Sequence, residues 1–187
     1  MPPMSPGPQL STPRLLLRRW RPGDLRRLTA ICSDPEVMEY FPAPLSEAET
    51  MALIERAEHC FDVRGYGLWA LELGEGGELI GFVGLSPVAS EFPFAPAVEV
   101  GWRLARGQWG RGLAAEGASA AVAFAFERAG LPSLVSFTAA GNLRSRRLME
   151  RLGMSRDPAE DFEHPLLPFG HRLRAHVLYR LNAGSVL

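Results

Sequence analysis

The chain has 187 residues, 47% of them hydrophobic and 22% charged, a length and balance that suit one domain with a substantial core and exclude general disorder. A formal net charge of −1 leaves no broad basic footprint for nucleic acid, and no apolar run reaches the roughly 20 residues of a membrane span. All 20 basic residues are arginine, a bias we assign to genome composition before function.

Residues 1–12 are crowded with proline and lack the basic start and apolar middle of a signal peptide. They read as a flexible tail before a single domain at 13–182, with 183–187 a second short tail. Cys32 and Cys60 form no Cys-x-x-Cys pair, which points to a reducing, cytoplasmic compartment. After an apolar strand at 14–18, Pro22-Gly23-Asp24 predicts a turn with Asp24 as N-cap of a helix striped by Leu25, Leu28 and Cys32. Pro35 either interrupts that helix or begins a short helical turn through Met38. Ser46 and Glu49 have capping-box spacing, opening a second helix with Met51, Ile54, Ala57 and Phe61 as its buried face. Residues 67–73 and 79–85 read as strands joined by the turn Gly74-Glu75-Gly76-Gly77. Beyond a proline-containing loop, Val98, Val100, Trp102 and Leu104 alternate with Glu99, Gly101 and Arg103, the period of a two-faced strand.

The period then changes. Residues 113–129 suit a helix almost throughout, and Gly110, Arg111 and Gly112 fall where its first unpaired N–H groups project. Such groups, with the helix dipole behind them, hold phosphate without a lysine. A P-loop is excluded, because Leu113 and Ala114 stand where Lys and Ser/Thr are required after the glycines at 107 and 112. Gly110, Gly112 and Ala115 do satisfy the dinucleotide pattern G-x-G-x-x-A. Its ribose-binding acid is missing, since the next predicted strand, 134–140, ends in Ala-Ala-Gly and Glu127 lies within the helical pattern. Asn142 caps a further helix with Ser145 at its third position, and 164–181 reads as a closing hairpin. The order of strands and helices gives an α/β (α+β) layer fold.

The run Trp-Gly-Arg-Gly-Leu-Ala-x-Glu from Trp109 to Glu116 resembles the coenzyme A turn, Q/R-x-x-G-x-G/A, of the GNAT superfamily of acetyl-CoA-dependent N-acetyltransferases, specifically its RimJ/RimL branch. Gly110 and Gly112 match the last two positions, whereas Gly107 departs from the first, with Arg106 and Gln108 on either side. Three more segments resemble that branch in order: Arg14 to Arg18 with Asp24, Asn142 to Ser145 with Leu148 and Gly153, and His164 to Leu181 with His171 and His176. The likeness covers 12–182. It implies a mixed, mostly antiparallel sheet of about six or seven strands flanked by helices on both faces, acetyl-CoA as co-substrate and no metal. Coenzyme contacts implied by it are the main chain near Val100 and Trp102, the turn residues Gln108, Trp109, Gly110, Arg111, Gly112, Leu113 and Ala114, and Asn142 and Arg147 on the later helix. Arg106 and Arg111 read equally as phosphate ligands or as solvated arginines, and Trp109 as packing.

The implied reaction is direct transfer of acetyl from coenzyme A to a primary amine, on a protein N-terminus or a small molecule, in a ternary complex. An ammonium must lose a proton to attack, and Glu99 is the candidate base, provided burial raises its pKa; the competing reading is a cross-strand ion pair. Ser145 reads either as the acid that protonates the departing thiolate or as a solvated helix residue. His164, His171 and His176 match no zinc spacing, and neither cysteine has an activating context. No residue names the acceptor, and a homodimer is compatible with the sheet edges although nothing selects its interface. A non-catalytic acyl-CoA sensor and an NAD-binding enzyme are the rival functions.

Overall fold

The computed structural model of the chain describes residues 8–74 and 77–185; residues 1–7 of the expected tail and two residues of the predicted 74–77 turn lie outside them. Among the described residues, twelve strands and α-helices build the fold: β1 (Leu10–Ser11), β2 (Leu15–Arg18), α1 (Asp24–Cys32), α2 (Glu47–Arg64), β3 (Leu68–Leu73), β4 (Leu79–Pro87), β5 (Val98–Leu104), α3 (Leu113–Glu127), β6 (Ser133–Ala139), α4 (Leu143–Arg151), β7 (Phe162–Glu163) and β8 (Ala175–Asn182). The strands form one sheet in the order β1-β2-β3-β4-β5-β6-β8-β7. Eight strands exceed the expected six or seven because the two-residue edges β1 and β7 join it, the first within residues expected as tail.

Strand alternation divides the core between the two faces of the sheet. Leu15, Leu17, Leu71, Val83 and Val100 pack with Ala118, Ala121 and Ala125 of α3 and Met149 of α4. Small residues let α3 sit close, and a Cβ on Gly117 would lie 3.1 Å from Val83 Cγ1. Trp69 is fully buried, edge-on to Phe61 at 5.2 Å and Phe124 at 5.3 Å, contacts worth about 0.5–1.5 kcal/mol each beyond burial. On the other face, Ala70 and Phe82 meet Leu28 and Cys32 of α1 and Leu53 and Ala57 of α2.

Two local expectations are corrected. Gly23, not Asp24, is the N-cap of α1; the Asp24 carboxylate instead accepts hydrogen bonds from Arg18 at 2.7 and 2.9 Å, because that buried guanidinium needs both Asp24 and Glu72 to balance its charge. The capping box at Ser46 and Glu49 forms as read, but α2 is rotated so that Thr50, Leu53, Ala57, Cys60 and Phe61 face inward and Met51 is 39% exposed. Thr50 can be buried because its hydroxyl donates to the Ser46 carbonyl at 2.8 Å.

The closing hairpin pairs Phe162 with His176 and Glu163 with Ala175. Its first arm is thus earlier than expected, and 164–174, with prolines at 165 and 168 that cannot donate to a ladder, forms the connecting loop. The consequential irregularity lies mid-sheet. β5 and β6 are the single parallel neighbours, and their pairing is confined to Glu99 opposite Val135. Past that point the strands part.

Candidate active site

Where β5 and β6 diverge, a cleft of about 680 Å3 opens. Its walls are Glu99 and residues 101–104 of β5, Ser136, Phe137 and Thr138 of β6, the starts of α3 and α4, Tyr40 and Phe41 after α1, His164 of the 164–174 loop and His176 of β8.

At one end lies the glycine turn. Gly110 has φ 72° and Gly112 φ 76°, the left-handed region that costs an L-residue about 1 kcal/mol or more. Gly112 is the N-cap of α3, and the first N–H bonded within the helix is that of Glu116, to the Gly112 carbonyl at 3.0 Å. The three N–H groups before it, on Leu113, Ala114 and Ala115, have no intrahelical acceptor, and these residues line the cleft. Glu116 could neutralise this positive pole, but its carboxylate is drawn away: it accepts from the Thr12 hydroxyl at 2.6 Å and from Arg14 N and Nε at 2.9 and 2.6 Å. Burial works against ionisation there, and the hydrogen bonds from Thr12 and Arg14 outweigh it, holding the Glu116 pKa below the usual carboxylate range. Arg14 also donates to the Arg111 carbonyl at 2.9 Å, bracing the turn.

At the apex sits Glu99. Its carboxyl lies over Gly101, whose missing side chain leaves the space: an added Cβ would be 3.7 Å from Glu99 Oε1. The residue opens onto the cleft and is half-buried, yet desolvation alone pushes its pKa up to about 8. Opposite, Asn142 Oδ1 accepts from Ser145 N at 3.3 Å as the N-cap of α4, while its Nδ2 donates to Thr138 Oγ1 at 2.9 Å and Ser145 Oγ at 3.1 Å. Ser145 Oγ therefore receives a hydrogen bond and keeps its own proton to give.

A family model described as "Acetyltransferase (GNAT) domain" matches residues 14–155. The chain belongs to the GNAT acetyltransferase family. It is 31% identical to an acetyltransferase of known structure from Agrobacterium tumefaciens, with a TM-score of 0.76 and 94% of each chain covered. It is 35% identical over 129 residues to an FsC-acetyl coenzyme A-N(2)-transacetylase of Aspergillus fumigatus, covering 65% of this chain and 54% of that one, so the match spans about half of that protein. In fold it is similar to a spermidine N-acetyltransferase from Vibrio cholerae solved with CoA and spermine (TM-score 0.73, 21% identity, 93% and 98% covered).

In this GNAT acetyltransferase the cleft gathers Glu99, Trp102, Gln108, Trp109, Gly110, Gly112, Leu113, Ala114, Asn142, Ser145 and Arg147 of the residues singled out from sequence. Val100 and Arg111 are not on its wall. The Val100 side chain is wholly buried in the core, and the Arg111 guanidinium is exposed and donates to Gln108 Oε1. Trp109 lines the cleft and is also held by packing: its Nε1 donates to the Leu104 carbonyl at 2.9 Å, and Arg106 and Arg144 lie 4.7 and 4.1 Å from its ring centroid.

Sequence reasoning missed the brace of Arg14 on Glu116, which joins residues 102 apart in sequence. It also missed Arg103 and an aromatic wall in which Phe92, Phe137 and Phe162 surround His164 and His176. Burial, aided by the neighbouring His164, pushes the His176 pKa down to about 4, and burial lowers that of His164 too. This wall is therefore uncharged at neutral pH. Among the described residues no cluster of three or more His, Cys, Asp or Glu could hold a metal ion, and no helix is long and apolar enough to cross a membrane.

Proposed function

We propose that the protein transfers acetyl directly from acetyl-CoA to a primary amine, of a protein N-terminus or a small molecule, in a ternary complex. The observation that carries this reading is one cleft with an open anion cradle at the α3 N-terminus and a carboxyl without a hydrogen-bond partner, Glu99, at its apex. The cradle fits a pyrophosphate: its two left-handed glycines bring the backbone close and its three unpaired N–H groups remain uncovered. Trp102 of β5 and Asn142 and Arg147 of α4 line the cleft where they would meet the rest of the coenzyme. Two of the similar proteins are named for N-acetyl transfer, and one was solved with CoA, which supports the same chemistry here.

In this mechanism the coenzyme supplies an activated acetyl thioester. Glu99 takes a proton from the ammonium, directly or through water, freeing the nitrogen lone pair. As the C–S bond breaks, Ser145, held by Asn142, gives its proton to the departing sulfur and regains one, through water, from the attacking nitrogen, which still carries a surplus proton. A RimJ/RimL-like branch membership belongs to this proposal on the strength of the Trp109–Glu116 run and the ordered segments around it, without its ribosomal substrates. Two free, buried cysteines support a reducing, cytoplasmic setting.

The test is calorimetric titration with acetyl-CoA against an NADH control, followed by an amine panel monitored for free CoA. Acetyl-CoA binding with amine-dependent thiol release supports the transferase. Binding with no release from any amine favours a sensor, and NADH binding without acetyl-CoA binding overturns the reading.

A further inference from the structure

We propose that Arg103 is an acceptor-binding residue, and that the acceptor is an amine bearing a carboxylate, read by Arg103 at one end while its nitrogen faces Glu99 at the other. The inference rests on the transferase reading and names its substrate class. Glu99, Gly101 and Arg103 alternate on one face of β5, the face toward α1, and all three line the cleft. Four residues of strand separate the two charged positions by about 13 Å along the backbone, and Gly101 between them contributes no side chain.

Arg103 is only 8% exposed. Its guanidinium lies 4.1 Å from the Phe41 ring centroid and 5.2 Å from that of Phe82. Nη1 reaches Cys32 Sγ at 3.2 Å, a weak acceptor, and Nε has no partner at all. Every other buried or half-buried arginine cluster in the sheet shows what a satisfied cation looks like here: Arg18 is held between Asp24 and Glu72, and Arg180 grips Glu160. Arg103 has no carboxylate within ion-pair distance among the described residues. A buried cation without a counter-ion is costly, and the edge of a planar guanidinium, on a residue that lines the cleft, matches a carboxylate bidentately. The two aromatic faces fix the plane of that edge without neutralising it.

The experiment compares wild type, R103M and R103K. Acetyl-CoA affinity is measured by calorimetry. CoA release is then followed with paired probes, each a tri- or tetrapeptide, long enough to span the roughly 13 Å between the two positions, with a free carboxylate and the same peptide as its C-terminal amide. Expected is a preference of about tenfold or more for the acids, the size of a charge-assisted contact. In R103M it collapses through a raised KM for the acids, while amide turnover and acetyl-CoA affinity stay within about twofold. R103K, with a cation but no fork, recovers part of the preference, and thermal melts verify that both variants fold. Equal turnover of acids and amides by wild type, an equal loss for both in R103M, weakened acetyl-CoA binding in R103M, or no turnover of any acid would each overturn the assignment. Failure of wild type to bind acetyl-CoA is a separate result that removes the transferase reading, and this inference with it.

Discussion

Replacing Glu99 with Gln separates the proposed catalytic role of this carboxyl from its cost to the fold. Burial moves its pKa from 4.5 to about 8, and one pKa unit is 1.36 kcal/mol of preference between protonation states, so the folded protein favours the protonated acid by roughly 4–5 kcal/mol. The folded pKa lies above the unfolded one. Stability is therefore complete below about pH 4.5 and is lost as pH rises toward about 8, because unfolding releases a proton that the folded chain must retain or else bury a charge. Glutamine cannot ionise. The unfolding free energy of E99Q should exceed that of wild type by a margin that grows to about 4–5 kcal/mol near pH 9, a melting difference of roughly 10 °C or more for a domain of this size. Urea unfolding of both proteins from about pH 4.5 to about pH 9 measures it. In turnover, wild-type kcat/KM should climb about tenfold per pH unit below pH 8 and then level, whereas E99Q should lose about 100-fold or more with acetyl-CoA affinity intact. A stability difference that does not vary with pH would refute the buried carboxyl, and wild-type rates in E99Q would transfer the base role to water.

Ala at Gly112 must adopt φ near 76°, and its Cβ would meet only Arg14 Nη2 at an ordinary 3.5 Å. Backbone strain alone should thus cost about 1 kcal/mol of stability. If the turn relaxes to relieve it, calorimetry should show acetyl-CoA affinity weakened about tenfold, and an unchanged Kd would dismiss the turn as the cradle. Ser145→Ala removes the hydroxyl while leaving the Asn142 cap on the Ser145 N–H, so kcat should fall with little change in KM for acetyl-CoA; a wild-type kcat would eliminate the acid. Arg14→Ala leaves the Thr12 hydroxyl and the residue 14 N–H on the Glu116 carboxylate but removes the guanidinium that balances its charge, so the carboxylate offsets more of the α3 N-terminal pole and acetyl-CoA affinity should drop several-fold. Adding Glu116→Gln should restore it, and a double variant no better than the single would break that link.

What could be read in advance follows from how far apart the interacting residues lie in the chain. The capping box at Ser46, the Asn142 cap and the left-handed glycines before α3 are relations across three or four residues, so each leaves a pattern in a short window. The glycine-turn end of the cleft, proposed for the coenzyme, is built largely from such local devices, backbone N–H groups above all, so its geometry was legible. The rotation of α2 was not, because whether Thr50 or Met51 faces inward depends on the sheet it meets and on a hydroxyl bond that makes threonine cheap to bury. Asp24 was misread because its partner, Arg18, competes for it across the start of the helix. The place of Glu99 on β5 was legible from the alternation of that strand, but its raised pKa comes from the walls around it. The opposite wall of the cleft draws on Tyr40 and Phe41, Phe92, β5, Phe137 and the 164–176 segment at once, so no window of sequence contains its pattern. A coenzyme common to a family can be held by backbone geometry, which glycine spacing records. A wall made of side chains from many segments leaves no such record, and Arg103 shows the consequence: its lack of a counter-ion is visible only when Phe41, Phe82 and Cys32 are seen to surround it.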